Sequence, residues 1–592
     1  MNGSAGAQDV LWNLGDLYSG GEDPHLEKDL AESDKKADGF ASSYRGRVAE
    51  LEAADLARAI EQYEQILEPS GKAGTFTYLN WSTNTEDPAR GALLQRLQEH
   101  SSRLQQKLLF FELEWAHVDE ERSGKLLADP ALARYRFWLN LTRRYRPHLR
   151  SEAEEKILAD KSVTGRSAWL RFFEEVHSGA RYTLEGQELP QQSVLTKLYD
   201  PDRVQRKRAA EAFTQGLQNM KRVNTYVFNN LLADKASDDR LRNYPTWISA
   251  RNLANQIDDA TVEALVQAVT GRYAVVARYY DLKKKLLGLE ELFDYDRYAP
   301  LPSASRRYQW QEARQMVLEA YSGFLPEMGK IAETFFTNSW IDAAVRPGKR
   351  GGAYSHGAVP SVHPYIFMNF EGSPRHVMTL AHEMGHGVHQ YLAREQGILL
   401  ADTPLTTAET ASVFGEMLVF QKLMSLEKDP KIRLSMLVQK IEDTFATVFR
   451  QTAMNRFEAA IHTARRSEGE LTAEHFGELW MKTQNAMFEG SVTLSEDYGV
   501  WWSYIPHFIH SPGYVYAYAF GELLVLALYA RYQDSPEGFP AAYRDLLAAG
   551  GSNWPEELVR PLGVDLKDPG FWDKGLSMIE AFVQQAEEMA GV

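Results

Sequence analysis

Long runs of apolar residues spaced three and four apart, with almost no period-2 alternation between them, restrict this chain to a mostly helical fold. Such runs extend from Leu51 to Leu67, from Arg90 to Ala116, from Glu152 to Ala159 and from Val204 to Leu232, each between charged faces. An apolar stripe of that kind is stable only when a neighbouring helix covers it, so the expected architecture is mainly α, with lobes packed together. Ser151, three residues before Glu154, has capping-box spacing and marks one helix start. The 41 glycines and 24 prolines are spread out, with no low-complexity linker, and no period of about 20 to 50 residues repeats, which argues against a solenoid.

Charge and cysteine content narrow the chemistry. The 592 residues carry 65 Lys+Arg against 81 Asp+Glu, a formal charge of −16, so the basic footprint of a phosphate-tracking protein is missing and no nucleic-acid partner is expected. Cysteine is absent, which removes disulfides, thiolate nucleophiles and Cys-held zinc or iron–sulfur sites, and leaves any metal to His and carboxylates. No basic segment followed by an apolar run opens the sequence, and the longest apolar stretch, Tyr514 to Ala530, is interrupted by Gly521 and Glu522. That stretch falls short of the ~20 residues of a bilayer span, so a cytoplasmic protein without a membrane partner is expected, its oligomeric state open.

From Arg346 to Phe370 the helical habit lapses into a Gly/Pro-rich loop and then a run, His363 to Phe370, whose aromatic and branched residues suit a strand. It reads either as a small structural hairpin or as an edge that holds an extended peptide by strand addition. On the second reading Gly352, His363 and Tyr365 are candidate substrate-binding residues, and Gly351, Gly352 and Gly357 keep the adjoining loop mobile.

The chemically informative segment follows at once. Ser373 and Pro374 supply an N-cap and a first-turn proline, and the pattern RHVMTLAHEMGHGVHQYLAREQG predicts a helix ending at Gly397. Val377, Leu380, Ala381, Met384, Val388, Tyr391 and Leu392 share its apolar face, and His382 and His386, four apart, flank that face together. Two such imidazoles can grip one ion, while Glu383 is placed to reach a metal-bound water as general base. The expected number of His-Glu-x-x-His matches by chance in this composition is about 0.05, and two glycines inside the pattern, Gly385 and Gly387, further mark close packing. His389 lies ~10 Å along the axis from His382, too far to share the ion, so the third ligand comes from another element. Downstream, Glu409 and Glu416 lie seven apart on one helix face. Glu409 is a candidate ligand or, with Thr406, the Glu of a capping box; Glu416 is a candidate partner for the free N–H of a ligand imidazole.

Near the C-terminus, His507 and His510 precede Pro512 and Gly513, with Tyr514 and Tyr518 at i, i+4 beyond them and Tyr516 on another face. The cluster reads as oxyanion donors for peptide hydrolysis or as an aromatic core helix with polar tips.

HEMGH (382–386), ETASVFGE (409–416), HPYIFMNFEGS (363–373) and IPHFIHSPGYVYAYAFG (505–521) together resemble the oligoendopeptidase F branch of the zinc oligopeptidases that includes thimet oligopeptidase and neurolysin. The likeness extends through Leu127 to Ala159 and Tyr279 to Leu301 and covers the chain from about residue 105 onward. It implies one Zn²⁺ held by His382, His386 and Glu409, with Glu383 as general base and proton shuttle. It also implies that His507 and either Tyr514 or Tyr518 polarise the scissile carbonyl; His510, from the same His/Tyr cluster, is a candidate substrate-binding residue. The implied fold is a large helical ellipsoid split by a deep substrate channel between two lobes, a zincin-type active-site helix with a small β-sheet beside it. The implied organisation is an N-terminal helical segment (1–104), an oligoendopeptidase F-like helical lobe (105–200) and a catalytic domain (201–592). The implied activity is hydrolysis of internal bonds in oligopeptides. A zinc metallocarboxypeptidase of similar helical fold is the alternative; it requires a cation such as Arg350 to clamp the substrate's C-terminal carboxylate. A peptide-binding protein with a structural zinc is disfavoured by the open fourth position.

Overall fold

Side-chain caps start the helices where local sequence places them. In the computed structural model, which describes residues 5–301 and 306–591, Asp87 accepts from the N–H groups of Ala89 and Arg90 at the start of Pro88–His117. Ser151 forms the expected capping box with Glu154 before Glu152–Thr164, and Asp202 caps the 39-residue helix Arg203–Leu241. Three of the apolar runs fall within helices Pro88–His117, Glu152–Thr164 and Arg203–Leu241, and the first, from Leu51, enters helix Ala53–Ser82 two residues in. The fold is mainly α, as the periodicity predicts. Among the described residues no helix is long and apolar enough to cross a membrane.

The chain divides into two compact units, each assembled from three stretches. Unit 1 comprises Met1–Arg146, Ser305–Leu426 and Arg531–Val564; unit 2 comprises Pro147–Ala304, Glu427–Ala530 and Asp565–Val592. The units interleave along the sequence, whereas the segments 1–104, 105–200 and 201–592 are linear.

Five short strands occur among the described residues: β1 (Tyr182–Leu184), β2 (Gln187–Leu189), β3 (Ile341–Asp342), β4 (Tyr354–His356) and β5 (Tyr365–Phe367). β1 and β2 form an antiparallel hairpin in unit 2. The other three form the sheet of unit 1 in the order β3-β5-β4.

That order corrects one expectation. The strand within His363–Phe370 is not an edge: β5 pairs parallel with β3 and antiparallel with β4. The N–H groups of Ile366, Met368 and Phe370 donate to the carbonyls of Trp340, Asp342 and Ala343 at 2.9, 2.9 and 3.0 Å. With both sides committed, β5 has no groups left for an incoming peptide; the terminal strands are β3, which runs on into N–H bonds from Ala343 and Ala344 to the Val10 carbonyl, and β4. The cause lies in the loop, which folds back as β4 and covers the side that sequence alone leaves free.

In unit 1, Phe40, Tyr63, Phe111 and Trp138 centre a buried aromatic cluster. The unit also holds two helices that cross closely, α1 (Pro374–Ala393) and α2 (Thr410–Leu426). In unit 2, Phe213, Phe228, Phe476, Trp501 and Trp502 fill the core; α3 (Phe449–Glu468) and α4 (Tyr516–Asp534) belong to it.

The α1–α2 crossing depends on absent side chains. A Cβ at Gly385 would overlap the Ala411 carbonyl and the Ser412 Cα, and one at Gly415 would overlap the Tyr321 hydroxyl, which itself donates to the Ala381 carbonyl at 2.7 Å. Because the obstruction at Gly385 is backbone, it cannot rotate away. Gly385→Ala is expected to destabilise unit 1 by about 1–3 kcal/mol despite alanine's better helix propensity, read as a lower urea midpoint than wild type.

Candidate metal and peptide-hydrolysis site

Ser373 caps α1 by accepting from the His376 N–H at 3.2 Å, with Pro374 in the first turn as expected. That start sets the helical phase in which His382 and His386 emerge on one flank, their ring centroids 4.8 Å apart. Across from them, Glu409 ends the short helix Leu405–Ala408 just before α2. Its Oε2 lies 3.4 Å from Nε2 of His382 and 3.4 Å from Nε2 of His386; the two Nε2 atoms are 3.2 Å apart.

These separations test whether a zinc ion fits. Tetrahedral ligands at ~2.0–2.1 Å from zinc stand about 3.3–3.4 Å from one another. The three side-chain atoms match that triangle, and together they form the one group of possible metal ligands found among the described residues. Glu416 Oε1 lies 2.6 Å from His382 Nδ1; with Nδ1–H donating, the lone pair of Nε2 faces the other two ligands. Ser412 Oγ donates to Glu409 Oε2 at 2.7 Å and orients it from α2; the N-cap position of the preceding short helix is held by Pro404, with Thr406 inside the helix.

Burial opposes charge on Glu409, but the hydrogen bond and charge of His386, with His382, outweigh it and hold the carboxyl at about 2. Burial likewise lowers His382, yet the Glu416 bond and the surrounding carboxylates raise it to about 10. Glu383 is 6% exposed, and burial shifts its carboxyl upward against the pull of His382 and His386, which favours a proton acceptor over a permanent anion. His389, by contrast, is lowered by burial to about 3 and is a neutral core histidine.

In unit 2, His507 begins the short helix His507–His510, and its Nε2 lies 3.3 Å from the Tyr518 hydroxyl on α4. Tyr514 stacks on the same imidazole with centroids 6.0 Å apart. Burial lowers the His507 pKa, aided by Arg450 and His510. Tyr516 is fully buried, its oxygen accepting from Asn255 at 2.8 Å.

The sequence pattern of Peptidase family M3 matches residues 196–578, and that of the Oligopeptidase F N-terminal family matches 114–182. The chain belongs to peptidase family M3. It is 28% identical over 591 residues to "Oligopeptidase PepF" of Bacillus subtilis, covering 98% of this chain and 87% of that protein. It is 27% identical over 492 residues to "Group B oligopeptidase PepB" of Streptococcus agalactiae, covering 81% of each. Among solved structures, the oligoendopeptidase-F of Enterococcus faecium shares the fold with a TM-score of 0.71 at 23% identity, over 96% of this chain and 98% of that one. A Chlamydophila abortus chain shares it with a TM-score of 0.87, also at 23% identity, over 98% of both chains. This M3 member is therefore a metallopeptidase, a hydrolase of the oligopeptidase class.

The remaining candidates are held by contacts of their own. His363 stacks on Trp340 with centroids 3.7 Å apart, and its Nε2 meets Asp16 at 3.0 Å. Tyr365 is fully buried against Trp12. Both side chains thus support the sheet from within. Gly352, at φ +85°, precedes β4, and its carbonyl accepts from Asn369 at 3.2 Å. His510 lines a cleft of about 580 Å³ with Arg166 and Arg251 and stands 3.4 Å from Glu174.

Sequence reading missed Glu458. Fully buried on α3, its Oε1 accepts the Gly513 N–H at 2.9 Å and so anchors the turn between His510 and Tyr514, while Oε2 has no partner. The signal was present as a charged residue in the buried phase of a helix, between Phe457 and Ile461. Burial pushes its carboxyl from 4.5 up to about 8. A folded value above the unfolded one means that protonation favours the fold. This contribution is complete below about pH 4.5 and is lost as pH rises through about 8. Glu458→Gln, which keeps an acceptor for Gly513, is expected to shrink the difference between urea midpoints at pH 5 and pH 8 by more than half.

Proposed function

We propose that this M3 peptidase is a zinc-dependent oligoendopeptidase that hydrolyses internal bonds of short, unstructured peptides. The observation that carries the reading is the triangle of His382, His386 and Glu409, which matches zinc ligand spacing and has the buried carboxyl of Glu383 beside its first ligand. Bound there, zinc would supply a Lewis acid that lowers the pKa of an attacking water towards ~7 and polarises the scissile carbonyl.

The protein's own groups do the rest. Glu383 accepts the proton of the attacking water and returns it to the departing amine, a task suited to a carboxyl whose burial has moved it upward. Glu416 keeps His382 in one tautomer throughout. In unit 2, His507 and Tyr518 form a paired N–H/O–H donor set for the oxygen that gains charge as the carbonyl becomes tetrahedral. Tyr518 is assigned this role over Tyr514 because its hydroxyl, unlike the stacked ring of Tyr514, meets the His507 imidazole nitrogen. An extended substrate backbone would pair with the open edge of β4, next to Gly352, and not with β5.

An internally quenched peptide of about ten residues, blocked at both ends, tests the reading. Cleavage is expected to stop with a chelator and return with zinc. Glu383→Gln is expected to abolish turnover while atomic absorption still finds zinc in the protein. A zinc-loaded wild type that leaves this peptide whole but trims unblocked peptides from the C-terminus establishes the carboxypeptidase instead. Tyr518→Phe is expected to lower kcat by about 10²–10³ and Tyr514→Phe far less, measured on the same peptide; the reverse ranking reassigns the donor.

A further inference from the structure

Among its described residues, unit 2 contains a cation without a counter-ion. Arg450 lies in the first turn of α3, half-buried. Among the described residues no carboxylate pairs with its guanidinium. Its strongest electrostatic neighbours are the phenols of Tyr298, Tyr504 and Tyr498 and the guanidinium of Arg297. Placing a half-buried guanidinium near a buried one is unfavourable unless an anion joins them.

Both arginines line a cavity of about 110 Å³, together with Tyr280, Tyr298, Glu442 and Phe449. The other charged groups there are largely engaged. Glu442 Oε1 accepts from the Tyr279 hydroxyl and the Lys283 ammonium. Arg297, 5% exposed, donates to the Asp294 carbonyl at 2.9 Å and to the Tyr498 hydroxyl at 3.1 Å, with the Asp294 carboxyl beside it. Asp443, also at the cavity, is exposed to solvent. Arg450 is thus the cation whose hydrogen-bonding fork is free for a ligand. The same guanidinium helps to lower the pKa of His507, so its field extends to the residue assigned to the substrate carbonyl.

A free guanidinium fork is the protein group best matched to a carboxylate, because two parallel N–H bonds fit its two oxygens. At ~30 Å³ per water, the cavity has room for three or four waters or for one carboxylate with its neighbouring atoms. We propose that Arg450, with Arg297 behind it, binds a carboxylate of the peptide substrate, either the free C-terminus or an acidic side chain. This rests on the oligopeptidase reading for the ligand being a peptide.

Three quenched peptides with one cleavage sequence test it: one neutral and amidated, one neutral with a free C-terminus, and one amidated with a single Glu. Each is assayed with wild type, Arg450→Gln and Arg450→Lys. Wild type is expected to favour at least one carboxylate-bearing peptide over the neutral one by about tenfold or more in kcat/KM, chiefly through KM. In Arg450→Gln that ratio is expected to fall to near one, and Arg450→Lys is expected to restore part of it. The favoured peptide identifies the source of the carboxylate. No preference in wild type, a preference that survives Arg450→Gln, or an equal loss on all three peptides overturns the proposal, the last being the mark of a merely structural arginine.

Calorimetric binding of the same peptides to zinc-loaded Glu383→Gln, with and without Arg450→Gln, separates this idea from the catalytic one. If wild type cleaves none of the peptides yet binding of an acidic one depends on Arg450, the anion site stands and the endopeptidase reading falls. If wild type cleaves the neutral peptide and binding is indifferent to Arg450, the reverse holds.

Discussion

The close crossing of α1 over α2 is the constraint on which the metal site depends. Gly385 lies against the backbone at Ala411 and Ser412, Gly415 lies against Tyr321, and the Tyr321 hydroxyl ties back to the Ala381 carbonyl, one residue before His382. Tyr543 holds the other partner from outside, its hydroxyl donating to the Thr410 carbonyl at 2.7 Å. Side chains at either glycine would push the helices apart. Only at this spacing do short groups such as imidazole and carboxylate converge to separations of 3.2–3.4 Å. The same proximity brings Glu416 onto His382, so one packing contact positions both the ligands and the group that orients them.

Buried charge organises both units, and in unlike ways. Around the ligand triangle the histidines and carboxylates compensate one another, which lets Glu409 stay ionised while Glu383, next to it in space, is shifted upward. In unit 2 compensation is incomplete among the described residues: Glu458 keeps an unpartnered oxygen and no carboxylate pairs with Arg450. Asp296 shows what the satisfied alternative looks like, fully buried but bridged by Arg203 at 2.8 Å and Arg206 at 2.9 Å. A core that pairs Asp296 so completely can pair its charges, so the guanidinium of Arg450, unpaired among the described residues, points to an interaction made with something other than the protein.

Much of the helical architecture was legible because it is local. Capping at Ser151 and Ser373, the apolar stripes and the spacing of His382 and His386 depend on residues within a few turns of one another, and the structure reproduces them. The β5 strand illustrates the opposite case: its residue types predict a strand, but whether it is an edge depends on where β3 and β4 lie, one of them more than twenty residues away. His363 and Tyr365 looked available for the same reason, since burial against Trp340 and Trp12 is a non-local fact. Glu458 and Arg450 were overlooked because a charged residue in a helix reads as a solvated face until its neighbours are known.

By itself the sequence determined the helical class, the exclusion of sulfur chemistry, the metal-binding helix and the identity of the carboxylates able to complete its site. These follow from backbone periodicity and side-chain chemistry, which act over a few residues. Tertiary structure alone decided that Glu409 meets both imidazoles of another helix, that Tyr518 rather than Tyr514 meets the nitrogen of His507, and that among the described residues no carboxylate pairs with Arg450. Each of these is a matter of distances between groups on separate elements, and such distances are set by packing, to which local spacing carries no key.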